Sequence, residues 1–357
     1  MTQEPETSQP APPSGVTATA AGTWPGTDPL EAAKTIRGEL GEPHLPFLVE
    51  LPQRGPGADA TGRTAALLVE LPVDLQPHGW RLVDRPGVDH RRAVSLLSRD
   101  INTLADVIGE EEAPGSALKV SLRGPLSLAA SLYLHNGERA LSDAGARREI
   151  AESLAAGAAG YVERVKSIAR GAAITVQLDE PLLDRVLSGR IPTASGYRTL
   201  RSVPAQEASQ TWTALRETLL AAGAGEVVLN LPSAEHGRPG SGLDLALGAG
   251  ADGVALPARG LSSRDWEGLA EAIEAGKQIW LGILPLPAAG AAPRQVTGLV
   301  EDVTGPWSRV GLPLRDLQAL RIMPDGDLAD LAPSSARRVL ERLAQTASAL
   351  DQLAAEG

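Results

Sequence analysis

Along the chain, short apolar runs alternate with longer segments whose apolar residues fall three and four positions apart. The short runs cover residues 45–51, 118–122, 172–178, 226–231, 253–256, 278–284 and 320–323, and each closes in a polar or Gly/Pro-containing turn. Runs of that length predict buried strands, whereas the amphipathic segments 143–170, 205–222, 263–275 and 334–355 predict helices with one apolar face. A first strand near residues 18–24 brings the count to eight. Regular βα repetition with that count predicts an α/β fold, a single (β/α)8 TIM barrel rather than an open doubly wound sheet. No G-x-G-x-x-G or G-x-x-x-x-G-K follows any of these strands, which removes the usual nucleotide-binding support for the open sheet. Residues 1–20 are rich in Pro, Ser, Thr, Gln and Glu, so a disordered tail is expected there and the barrel domain over 21–357.

Composition narrows the chemistry. Apolar residues make up 43% of the 357 positions but aromatics only 3%, so the core is aliphatic. A formal charge of −11, from 33 basic and 44 acidic residues, argues against nucleic acid or an anionic membrane as partner. An anionic ligand would need a local arginine cluster. No window approaches the ~18 consecutive apolar residues of a membrane helix, and no basic region leads into an apolar stretch at the amino terminus, so a cytoplasmic location is expected. The chain has no cysteine, which excludes disulfides, thiolate nucleophiles and thiolate metal ligands. His44, His78, His90, His135 and His236 are scattered without metal-ligand spacing, no Gly-x-Ser-x-Gly elbow is present, and Ser233 lacks a histidine partner in sequence.

The turns after the strands carry the candidate chemistry. Gln177-Leu178-Asp179-Glu180-Pro181 sets two carboxylates at a strand's carboxyl end, where barrel enzymes keep their active sites. Asp179 and Glu180 are therefore the candidate catalytic pair; the structural alternative is that one of them caps a helix. Gly22-Thr23-Trp24-Pro25-Gly26-Thr27 would let a ligand approach the backbone, and a constrained turn through residues 48–59 holds Glu50, Arg54 and Asp59. Arg123, in Arg123-Gly124-Pro125, either faces the acid pair across the mouth or forks onto an anionic substrate. On this reading Trp24, Arg54, Arg123, Asp179, Asn230 and Asp325 all open onto one mouth. Adjacent acids and a thin supply of aromatics argue against glycoside hydrolysis.

Four elements occur in order at barrel-like intervals: Gly-Thr-Trp-Pro-Gly-Thr at 22–27, Arg-Gly-Pro-Leu-Ser-Leu at 123–128, Gln-Leu-Asp-Glu-Pro at 177–181 and Met-Pro-Asp-Gly at 323–326. Together they resemble the carboxy-terminal catalytic barrel of cobalamin-independent methionine synthase, in the uroporphyrinogen decarboxylase/methionine synthase-like superfamily, over roughly residues 20–350. The resemblance implies methyl transfer from a methylated folate, the expected co-substrate, to homocysteine, whose sulfur a zinc ion activates as thiolate. It also implies that Gly22, Thr23 and Asp179 hold the amino-acid end of the substrate; from their places in the turns at the strand ends, Trp24, Arg54, Asp59, Arg123, Gln177, Asn230 and Asp325 are expected as further substrate contacts. The zinc ligands it implies are missing. Asn230-Leu231-Pro232 stands where a His-x-Cys belongs, Pro257-Ala258-Arg259 where a Glu belongs, and Asp325-Gly326 where a late Cys belongs. No tightly bound cofactor is expected, and zinc least of all.

Three functions compete at this stage. One is a methyltransferase-like enzyme that activates its acceptor without zinc, with Asp179 or Glu180 as base. Another is a non-catalytic barrel that binds a small amino acid or pterin-like ligand and serves a protein partner. The third is a decarboxylase-like enzyme that grips a polycarboxylate with Arg54, Arg63 and Arg123.

Overall fold

The computed structural model describes residues 15–232 and 241–357. Its strands, in chain order, are β1 (Thr17–Ala18), β2 (Val73–Gln76), β3 (Gly79–Leu82), β4 (Ala117–Arg123), β5 (Ala173–Asp179), β6 (Glu226–Asn230), β7 (Gly253–Pro257), β8 (Gln278–Pro285) and β9 (Leu320–Asp325). Seven of them form one curled parallel sheet in the order β1-β9-β8-β7-β6-β5-β4, while β2 and β3 make a separate antiparallel hairpin. Residues 45–51 close the gap between β1 and β4. On one side Leu45 N–H donates to Ala18 O (2.9 Å) and Glu50 N–H to Gly22 O (2.9 Å); on the other, Leu48 N–H donates to Lys119 O (2.8 Å) and Lys119 N–H to Pro46 O (2.9 Å). Pro46 has no N–H, so this eighth stave is joined by isolated bridges at Thr23/Glu50 and Phe47/Lys119 rather than a continuous ladder. The result is a TIM-barrel-like α/β fold.

The strand runs match the sequence reading closely, and the helices Ala144–Ile168, Ala205–Ala221, Ser263–Glu274 and Pro333–Glu356 fill the four amphipathic segments. One boundary moves. Residues 1–14 lie outside the described residues, but Val16, Thr17, Ala18, Thr19 and Ala20 are all buried, because β1 pairs with β9 inside the barrel wall. The barrel thus starts before residue 21. Among the described residues no helix is long and apolar enough to cross a membrane.

Strand side chains alternate between two environments. Leu118, Val120 and Leu122 of β4, with Ile174, Val176 and Leu178 of β5, join the main core under the helices. The intervening Lys119, Ser121 and Arg123 pair in register with Thr175, Gln177 and Asp179 on the inner face. Deep in the barrel, Val228, Ala255, Trp280 and Met323 form a small apolar cluster with Leu45. Below it Arg321 donates to Thr17 Oγ1 (2.9 Å), pairs with Glu226 (3.3 Å) and lies over the Trp280 ring.

Candidate functional site

At the carboxyl ends of the strands a cleft of ≈ 300 Å³ opens, walled by Thr23, Glu50, Arg123, Asp179, Asn230, Asp325 and Asp327 among apolar residues such as Leu256 and Met323. Parallel register puts Arg123, Asp179 and Asn230 side by side at the ends of β4, β5 and β6. Asp179 is anchored through one oxygen only: Oδ1 accepts from Asn230 Nδ2 (2.6 Å) and Gln177 Nε2 (2.7 Å). Among the described residues no hydrogen bond reaches Oδ2. Burial pushes the Asp179 carboxyl above its usual range, while Asn230, Arg123, Gln177 and Lys119 pull it back.

Glu50 faces the same cleft. It is 5% exposed and its nearest cation is Arg63 Nε, 3.7 Å away. Burial pushes it up to about 7; Asp179 adds to the rise, and Arg63, Arg123 and Lys119 oppose it. Asp325 is also raised by burial, with Arg259 opposing. The sequence reading had Glu50 in a constrained turn but did not select it. Two positions closer to the barrel's middle than Arg123 and Asp179, the inward-facing Ser121 and Gln177 sit beneath the cleft, and Lys119 lies deeper again.

Several expected site residues lie elsewhere. Glu180, next to Asp179 on an extended strand, points to the opposite side: it is 0% exposed and does not reach the cleft. Its Oε2 accepts from Ser127 N–H (2.8 Å) and its Oε1 from Leu126 N–H (3.1 Å) and Trp212 Nε1 (3.0 Å), so it closes the amino end of the short helix Pro125–Ser131. Burial raises its pKa against those donors. Arg54 forks onto Asp100 with two 2.7 Å contacts, and Arg63 reaches the same carboxylate at 2.5 Å. Neither arginine is free to meet a ligand. Asp59 caps the helix Ala60–Ala65 through Gly62 N–H (2.9 Å). Trp24 is core, 3% exposed. Gly22 shapes the turn rather than the wall: its φ is +133°, and a Cβ there would lie 2.8 Å from Ser121 Oγ. Thr23 does line the cleft and bonds Asp327. Thus Thr23, Arg123, Asp179, Asn230 and Asp325 come together, with Gln177 behind them. The supposed mouth loses Arg54 and Trp24.

The neighbouring strand ends carry few metal donors. Asn230 spends its amide on Asp179, β7 ends in Pro257, and β9 ends in Asp325 followed by Gly326. Among the described residues no three of His, Cys, Asp and Glu gather as a metal site. His236 and Ser233 lie outside the described residues.

No family model matches the chain, and none of the curated proteins is similar to it in sequence. Solved structures do share its fold. A B12-independent methionine synthase from Shewanella sp. W3-18-1, in complex with selenomethionine, superposes with a TM-score of 0.59 at 11% identity, over 95% of this chain and 98% of that one. A methyltransferase from Methanosarcina mazei gives a TM-score of 0.51 at 10% identity, over 93% of this chain and 94% of that one. At such identities the likeness is one of fold.

Proposed function

We propose that this methionine synthase-like barrel binds a small α-amino acid such as homocysteine at its mouth, and does so without zinc. One observation carries the reading: Asp179 is fixed by two amides on Oδ1 and keeps Oδ2 for the cleft, next to Arg123 on the adjacent strand and with Glu50 in the same cleft wall. Two carboxylates next to one guanidinium match a zwitterion. Asp179 and Glu50 receive the ammonium, and Arg123 receives the carboxylate. The Shewanella neighbour's complex with selenomethionine, itself an amino acid, is consistent with this.

A polycarboxylate is a poor match. Of the three arginines that would grip it, Arg54 and Arg63 are committed to Asp100, and Arg123 shares the cleft with Glu50, Asp179, Asp325 and Asp327. Among the described residues no three of His, Cys, Asp and Glu gather as a metal site, so the reading calls on no zinc to activate a thiol. A free thiol near pKa 8.5 stays mostly protonated at about pH 7. Proton transfer at neutral pH falls instead to Glu50, whose pKa of about 7 suits it to give or take a proton there. Glu180, satisfied by three donors in the helix layer, has no part in it.

Calorimetric titration of the full chain tests this. L-homocysteine and L-methionine should bind, and the analogue of either that lacks the amino group should not. A tricarboxylate that binds more tightly than the amino acids would overturn the reading, and stoichiometric zinc retained through dialysis would overturn its metal-free part.

A further inference from the structure

Lys119 rises from the middle of β4 and is 0% exposed. Its Nζ meets three acceptors: Gln177 Oε1 at 2.7 Å, Ala21 O at 3.0 Å and Ser121 Oγ at 3.2 Å. An ammonium carries three N–H donors and no lone pair, so the match is complete, whereas a neutral amine would turn its lone pair on an acceptor. This contact fixes the Gln177 amide. With its oxygen on Lys119, its nitrogen faces two acceptors, Asp179 Oδ1 (2.7 Å) and Ala21 O (2.8 Å). The flipped amide would set N–H groups against an ammonium and an oxygen against both acceptors. The Ala21 carbonyl in turn leads into Gly22 and Thr23, so a single lysine braces the turn and the acid together.

We propose that Lys119 is the positioning residue of the amino-acid site: by locking Gln177 and the Ala21 carbonyl it keeps Asp179 ionised and turned to the cleft, without touching the ligand. The inference rests on the amino-acid reading above. Electrostatics couple the lysine to the same acids. Burial pulls the Lys119 ammonium down to about 7, Asp179 and Glu50 hold it up, and Arg321 from β9 lowers it further. Asp179 faces Arg123 and Lys119 from β4 and Glu50 from residues 45–51, and Glu50 faces Arg63.

The test pairs two readouts on the full chain: the midpoint of the Asp179 carboxyl by ¹³C NMR without ligand, and the affinity for L-methionine across pH by calorimetry. Lys119→Met should raise the Asp179 midpoint by about one pH unit and weaken binding at neutral pH about tenfold. Gln177→Met should act in the same direction, and the double variant should be no worse than the worse single variant, because both cut one chain of contacts. A purely structural lysine would give a lower melting temperature with the Asp179 midpoint and the pH profile unmoved, and that result, or losses that simply add, overturns the proposal. If Lys119→Met does not fold, Asp179→Asn decides instead: it must lower the Lys119 midpoint, read from the Nζ ¹⁵N shift, and an unmoved lysine overturns the proposal. Should the wild type bind no amino acid, the functional reading fails, while the carboxyl titration still decides the role of Lys119.

Discussion

Replacing Asp179 by asparagine separates a ligand-gripping acid from a structural one. The side-chain carbonyl of asparagine can keep both contacts now made by Oδ1, from Asn230 (2.6 Å) and Gln177 (2.7 Å), while its amide nitrogen takes the place of the oxygen that faces the cleft. The fold loses little. Because burial raises the Asp179 pKa, the stability this carboxyl lends is complete below its ordinary value of 3.8 and is lost as pH rises through the folded value. At neutral pH the wild type already bears that loss, so Asp179→Asn should melt at or above the wild-type temperature. Binding behaves oppositely. An ammonium facing an amide N–H instead of a carboxylate forfeits a desolvated charge pair, about 2–5 kcal/mol, or roughly 30- to 4,000-fold in Kd.

Asp179→Ala supplies the contrast, since it leaves the Asn230 amide with no acceptor and should lower stability by about 1–3 kcal/mol as well as abolishing binding. Thermal melts beside calorimetric titrations of the three proteins with L-homocysteine give both numbers. If Asp179→Asn melted early yet bound like the wild type, Asp179 would be a structural acid and the proposed site would be wrong.

Other outcomes follow from the same geometry. Glu180→Gln can keep the Leu126 and Trp212 donors on its carbonyl oxygen but turns its NH2 against Ser127 N–H, and chemical denaturation should show a loss of about 1–3 kcal/mol, with affinity for the amino acid retained. Glu50, raised from 4.5 to about 7, lends stability that is complete below about pH 4.5 and lost as pH rises through about 7. Denaturant titrations at about pH 5 and pH 8 should therefore show the wild type losing about 2–3 kcal/mol relative to Glu50→Gln, and parallel profiles would contradict that. Asp100→Asn takes the shared carboxylate from two buried guanidinium groups, leaving Arg54 without its ion pair and Arg63 with Glu50 alone, and should cost about 3–5 kcal/mol in the same assay.

The barrel was legible because strand and helix periods differ and both recur. Its irregular stave was legible as an apolar run but not as a bridge-paired segment, since Pro46 interrupts the ladder only once a partner strand is known. The start of β1 was hidden for another reason. Thr17 and Thr19 lie among small residues that compose like a tail, and only pairing with β9 and burial inside the barrel, against Arg321 and the Leu45 carbonyl, give them a structural role. Arg54 and Asp59 looked available because nothing local marks a distant partner. Asp100, on the helix Val88–Glu110, claims Arg54 from 46 residues away.

Glu180 could have been read correctly from alternation alone. Neighbours on a strand face opposite sides, so of two adjacent acids at a barrel strand's end only one reaches the mouth. Leu178 belongs to the helix layer, which assigns Glu180 to that layer and Asp179 to the interior.

The same parity exposes what an apolar run conceals. In Leu118-Lys119-Val120-Ser121-Leu122-Arg123 the polar residues occupy every second position, and in a barrel that pattern points them inward. Four carboxyls, Glu50, Asp179, Asp325 and Asp327, share a cleft of ≈ 300 Å³, and without nearby positive charge their mutual repulsion and burial would drive most of them neutral. Lys119 and Arg123 from β4, with Arg63 behind Glu50, supply that charge from below and beside the cleft, and each opposes the rise in the Glu50 pKa. A neutral acid cluster would have no grip on an ammonium. The acidic mouth is therefore a property of the cations built into its wall, and the ligand it favours is one that brings a positive charge of its own.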